Sequence, residues 1–149
     1  MSVNLTAERI ESLKAGTLAA LSLTLVYSLI AVVNALVLGE QFEELAALQI
    51  TTAFEWVVKV AIAAASGFLF GVTYRYVIRE DENPHLKDGA VLAFGLVRGL
   101  APVEVEHNLI GAFWSLGVVG VESILCFAIA RLAIDWAIHR HWVKPFKSS

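Results

Sequence analysis

The longest uncharged run, Ala15–Leu38 (AGTLAALSLTLVYSLIAVVNALVL), sets the terms for the rest of the chain. Its 24 residues include no Asp, Glu, Lys, Arg or His. An α-helix needs about 20 predominantly apolar residues to cross the roughly 30 Å hydrocarbon core of a bilayer. In lipid the backbone must satisfy its own hydrogen bonds, so only helices and closed barrels span. The run therefore predicts a membrane helix. Composition agrees: 58% of the 149 residues are hydrophobic and 17% charged, and mean hydropathy is +0.70. Soluble domains run at roughly 45–50% apolar and about 25% charged, and a chain this short has no interior able to hide the surplus. Disorder is excluded by the same numbers. The single cysteine excludes an intrachain disulfide framework and a cysteine-based zinc site. A net charge of −3 gives no case for a nucleic-acid partner.

Three further apolar segments follow. Segment two covers 50–78 and carries Glu55 and Lys59 near its start and Arg75 near its end. Segment four covers 108–138, with Glu122 near its middle. Segment three, 88–102 (DGAVLAFGLVRGLAP), is short, about 22 Å as a helix. A short span, a re-entrant helix and an interfacial helix are its alternatives. Charge counting decides between them, because Lys- and Arg-rich short loops stay cytoplasmic. If all four segments cross, eight of the eleven basic residues fall on one side: Arg9, Lys14, Arg75, Arg79, Lys87, Arg140, Lys144 and Lys147. The opposite links hold Glu40, Glu43 and Glu44, then Glu104 and Glu106, with no Lys or Arg. The expected architecture is one all-α domain over 1–149 with four transmembrane helices, both termini cytoplasmic or stromal. The polar residues 1–14 read as a short amphipathic lead-in capped at Asn4 or Thr6, with no signal peptide. The stretch EDENPHLKDG, 80–89, reads as the clearest break in helix.

Helices in lipid associate through close backbone contact and polar pairing. Ala63, Gly67 and Gly71 recur every four residues in segment two, and Gly95 and Gly99 do so in segment three. These small-residue seams predict tight crossings, either inside one protomer or between copies in a homo-oligomer. Segment one offers Thr24, Tyr27, Ala31 and Asn34 as a mildly polar inner face.

Intramembrane charges are costly, so they should face the bundle interior and find partners. Glu55 and Lys59 stand in the favourable Glu-first i,i+4 order. Arg98 shares a depth with Glu55, and a contact between them is expected; the alternative is an Arg98 that snorkels to headgroups. Glu122 lies too deep to snorkel. It is expected to pair with Lys59 or Arg98 or to bond Tyr27 or Asn34, to act as a protonatable group on a transport path, or to bind a pigment, lipid or metal. Arg131 and Asp135 read as an interfacial pair. Trp56 and Trp114 towards one face, and Tyr74, Tyr76, Trp136, Trp142 and Phe146 towards the other, read as aromatic belts. Cys126 reads as a packing residue.

No HExxH, GxSxG, Walker A or dinucleotide fingerprint is present. The histidines, His85, His107, His139 and His141, sit in or beside loops, which argues against a bis-histidine haem. No metal or cofactor is expected, with a pigment or lipid ligand left open. The stretch GVTYRYVIREDENPHLKDGAVLAFGLVRGLAPVE, 71–104, resembles a segment of a small membrane-protein family of cyanobacteria and chloroplasts. That resemblance implies a thylakoid or cyanobacterial membrane and no particular activity. The expected function is a non-enzymatic scaffold, accessory or assembly subunit, acting on itself or a larger membrane complex. The alternative is a proton- or cation-coupled transporter or channel subunit that uses Glu122.

Overall fold

The structure, a computed structural model, describes residues 5–38, 52–78, 83–104 and 109–146. Asn4, Glu40, Glu43, Glu44, Arg79, Glu106, His107 and Lys147 lie outside the described residues. The described chain is all helical. Helix α1 (Leu5–Val33) continues into a π-helical turn, Asn34–Leu38; α2 is Ala53–Ile78; α3 is Pro84–Leu100 and runs into a 3-10 turn, Ala101–Glu104; α4 is Leu109–His139. Three stretches are long and apolar enough to cross a membrane: Leu5–Val37, Ala53–Ile78 and Phe113–His139. Only 11%, 22% and 28% of their most apolar windows is buried within the protein. The rest of that apolar surface faces outward, as lipid requires and water does not.

Two boundaries differ from expectation. The lead-in is not separate: α1 runs unbroken from Leu5. Ala7, Glu8, Arg9, Glu11, Leu13 and Lys14 are all good helix formers, and no Gly or Pro interrupts them before Gly16. The expected break at 80–89 does not extend through its second half, because α3 already starts at Pro84; residues 80–82 lie outside the described residues. Asn83 caps it, its side-chain oxygen accepting from the His85 N–H at 3.0 Å. Proline's missing N–H costs nothing at the first helical position, where no acceptor exists for it.

The helices form an up-down-up-down bundle. On α1 and α2, Gly71 meets Ala15 and Ala19, and Gly67 meets Ala19 and Ala20. On α3 and α4, Asp88 meets Arg131, Gly95 meets Ile124, and Gly99 meets Gly120. Moving from Asp88 to Gly99 thus moves the same distance back along α4, a regular antiparallel register. These two pairs make the most extensive contacts, and α1 against α4 closes the ring. The small-residue seams predicted on α2 and α3 are therefore filled from within the same chain.

The interior has three layers along the bundle axis. At the end holding both described termini, polar side chains meet. In the middle, Phe70 packs against Tyr74 (5.3 Å), Phe94 (5.4 Å) and Phe127 (5.1 Å), and Phe94 against Phe127 (5.7 Å). Such offset and edge-on pairs add to the burial of four large rings. At the far end lies a polar cleft.

Candidate functional site

Every helix contributes a polar or charged side chain to that cleft, which encloses about 500 Å³. Tyr27 and Asn34 come from α1 and its π-helical turn, Lys59 from α2, Arg98 from α3, and Ser115, Glu122 and Ser123 from α4. Ile30, Ile62, Leu116 and Val119 supply apolar wall, and Ala101 and Pro102 border it. Asn34, 8% exposed, opens the π-helical turn. Such wide turns recur at functional sites. Its Nδ2 donates to Glu122 Oε1 at 2.8 Å. This bond gives the carboxyl group, near the middle of α4, a partner from the π-helical turn that ends α1.

The sequence offered Glu55 both Lys59 and Arg98; the structure pairs it with Lys59 and gives Arg98 a different neighbour. Lys59 Nζ lies 2.6 Å from Glu55 Oε1. Arg98 lays its guanidinium over the Tyr27 ring, 5.1 Å from the centroid, a cation–π contact that partly replaces lost hydration. Glu55 itself does not line the cleft. Of the residues singled out by sequence, Asn34, Lys59, Arg98 and Glu122 converge, while Ala63, Gly67, Gly71, Gly95 and Gly99 pack the helices that carry them. Gly95 and Gly99 set how near α3 comes to α4: a Cβ at Gly99 would sit 2.7 Å from the Gly120 Cα. That approach positions Arg98 beside α4.

Of the polar layer at the other end, the sequence reading had only the Arg131–Asp135 pair. Arg75, counted there as a loop-side charge, is fully buried. Its Nε donates to the Lys144 carbonyl (2.7 Å), Nη1 to Ser12 Oγ (2.8 Å) and the Glu8 carbonyl (3.2 Å), and Nη2 to Glu8 Oε2 (2.5 Å). One guanidinium thus ties α1, α2 and the C-terminal tail together. The Lys144 N–H adds a bond to Glu11 Oε2 at 2.8 Å. Tyr74, assigned to an aromatic belt by sequence, is instead a core residue whose hydroxyl donates to Asp135 Oδ1 at 2.8 Å. Asp135 also faces Arg131 (3.6 Å) and Lys87 (3.8 Å), and Arg131 pairs with Asp88. Tyr76 packs on Phe146 and Trp136 on Trp142 at this end.

A signal for Arg75 exists in the sequence. Ala63, Gly67, Gly71 and Arg75 form one row at four-residue spacing, so the seam that faces α1 ends on the arginine. Among the described residues no group of His, Cys, Asp and Glu is placed to hold a metal. The chain matches no protein-family model, no curated protein and no solved structure.

Proposed function

We propose that the protein is a non-enzymatic polytopic membrane protein in which Glu122, at the polar cleft, carries or gates a proton or cation, as a small transporter or channel subunit. The observation that carries this reading is the convergence of Asn34, Lys59, Arg98 and Glu122, one from each helical stretch, on one intramembrane space. Ionisable groups at such depth are expensive and mark ion and proton pathways. The scaffold or assembly-subunit reading drew on small-residue seams. Those glycines meet Ala15, Ala19, Ile124 and Gly120 of the same chain, so the seams lend that reading no separate support. The Phe70–Phe94–Phe127 layer separates the cleft from the terminal end, so a transport cycle requires those rings to move.

Four crossings belong to this proposal. Helix α3 has 17 residues, about 25 Å, and the four-residue 3-10 turn after it adds about 8 Å. Together they match the hydrocarbon thickness. Leu92, Leu96 and Val97 on α3 face outward as the apolar residues of its neighbours do. Both termini then share the cytoplasmic or stromal side, of a thylakoid membrane or a bacterial plasma membrane.

Flux in proteoliposomes tests the function. With an imposed pH or K⁺ gradient, the wild type is expected to exceed protein-free vesicles, and Glu122→Gln to reduce that excess by about tenfold or more, since the amide cannot carry a charge or a proton. Background flux from both proteins would refute the proposal.

A further inference from the structure

Lys59 in the cleft has Glu55 as its counter-ion, and Glu122 has the Asn34 amide. Arg98 is different. It rests on Tyr27, and among the described residues no carboxylate pairs with it. A guanidinium carries five N–H donors and cannot lose its charge by deprotonation, so at membrane depth it calls for acceptors. Ser123 makes a second, independent demand. It is 4% exposed, it lines the same cleft, and its Oγ has no hydrogen-bond partner. Buried hydroxyls are ordinarily bonded. The two residues are neighbours across the α3–α4 contact: a Cβ on Gly99, next in sequence to Arg98, would lie 3.3 Å from the Ser123 Cβ. Two donors lacking acceptors among the described residues thus border a space of about 500 Å³ walled by Ile30, Ile62, Leu116 and Val119, within the size range of small-molecule sites.

We infer that the cleft binds an amphiphile with a single negative charge on an oxygen acid. The anionic head sits on Arg98 and Ser123, and the apolar body lies along Ile30, Ile62, Leu116 and Val119. A single charge is specified because Glu122 borders the same space and repels a second one. A fatty carboxylate and a phosphodiester lipid share this chemistry. The inference rests on the cleft being the working site proposed above, and adds a second ligand to the proton or cation at Glu122.

The test is thermal unfolding of the full chain in dodecyl maltoside, followed by tryptophan fluorescence during titration with four probes. These are decanoate, dioctanoyl phosphatidylglycerol, decanol and decyltrimethylammonium. A ligand that binds only the folded state raises the melting temperature in proportion to its occupancy. Decanoate, phosphatidylglycerol or both are expected to give a saturable rise; decanol and the cation are expected to give none. A response to decanoate alone assigns the fatty carboxylate, and one to phosphatidylglycerol alone assigns the lipid. Arg98→Gln is expected to weaken anion binding by about tenfold or more, and Ser123→Ala by about threefold. Arg98→Lys, which keeps the charge, retains part of the affinity. Should Arg98→Gln fail to fold, the Ser123→Ala and Arg98→Lys titrations decide. Equal rises from decanol or the cation, an anion response unchanged in the variants, or no rise with any probe would overturn the inference. Anion binding without Glu122-dependent flux would leave it standing and defeat the transport proposal. Glu122-dependent flux without anion binding would do the reverse.

Discussion

Arg75→Met is expected to destabilise the folded protein by about 3–5 kcal/mol, the usual cost of removing one member of a buried ion pair. The fully buried guanidinium supplies the bonds that hold the Glu8 and Lys144 carbonyls, Ser12 Oγ and the Glu8 carboxylate. Methionine fills much of the volume and supplies no donor, so those acceptors lose their partner together. Arg75→Lys is expected to recover little, because an ammonium cannot reproduce a planar fork that reaches three segments at once. Glu8→Gln is expected to cost less than Arg75→Met, since the glutamine amide oxygen can still accept from Arg75 Nη2 and the bonds to the Lys144 carbonyl, the Glu8 carbonyl and Ser12 Oγ remain. Unfolding by SDS titration in mixed micelles measures all three. Limited proteolysis adds a specific readout. The tail after Trp142 is held through Lys144 by Arg75 and Glu11, and Arg75→Met should expose it to cleavage before the helices unfold. A variant as stable and as resistant as the wild type would show that the clamp contributes nothing.

Gly71→Val is expected to prevent the α1–α2 crossing, at about 3 kcal/mol or more. A Cβ at Gly71 would stand 2.7 Å from the Ala19 Cβ and 2.8 Å from the Ala15 carbonyl carbon. Neither is the movable end of a long side chain, so the helices themselves must part. Separation propagates, because the same interface carries Ser12 to Arg75 and aligns Asn34 with its partner on α4. Gly117→Ala is the matched control. No atom lies within 4 Å of a Cβ built there, and replacing a helical glycine gains up to about 1 kcal/mol. Size-exclusion profiles and melting curves in detergent should show Gly71→Val aggregated or strongly destabilised and Gly117→Ala unchanged or slightly improved. Equal behaviour of the two would mean that close approach at Gly71 is not what holds α1 to α2.

Three apolar spans, the seams and several polar side chains of the cleft were readable from sequence for one reason. Apolar runs, small residues at four-residue spacing and isolated charges at membrane depth each have a single inexpensive placement in lipid. Asn34, Lys59, Arg98 and Glu122 could thus be singled out, and two of the expected pairings form, Glu55 with Lys59 and Glu122 with Asn34; the partner of Arg98 could not be read. Glu55 was matched to Arg98 by depth alone, but depth leaves the helix azimuth open, and the i,i+4 neighbour Lys59 takes the carboxylate. The terminal polar layer was harder to see. An arginine or tyrosine near the end of a span has water or headgroups as an easy alternative, so Arg75 and Tyr74 read as surface residues. Arg75 is buried by the α1 face that its seam meets, at Glu8 and Ser12, and by the return of the C-terminal tail, a tertiary event without a local signature. Asn83-Pro84 shows the other kind of ambiguity, since a pair that reads as a helix break is the cap and first residue of α3.

The account depends on four crossings that bring both ends of the chain to one face, with the cleft inside the bilayer. Its most direct measurement is labelling by a membrane-impermeant maleimide in sealed, oriented vesicles, in a Cys126→Ser background. Single cysteines would be placed at Leu5, Lys144 and Thr52, of which Leu5 and Lys144 lie at the clamped end and Thr52 precedes α2. Leu5→Cys and Lys144→Cys should label from the same side and Thr52→Cys from the other. Labelling of Leu5→Cys and Lys144→Cys from opposite sides would contradict the account, because α3 would then not cross and Arg98 would have no place beside Glu122 within the membrane.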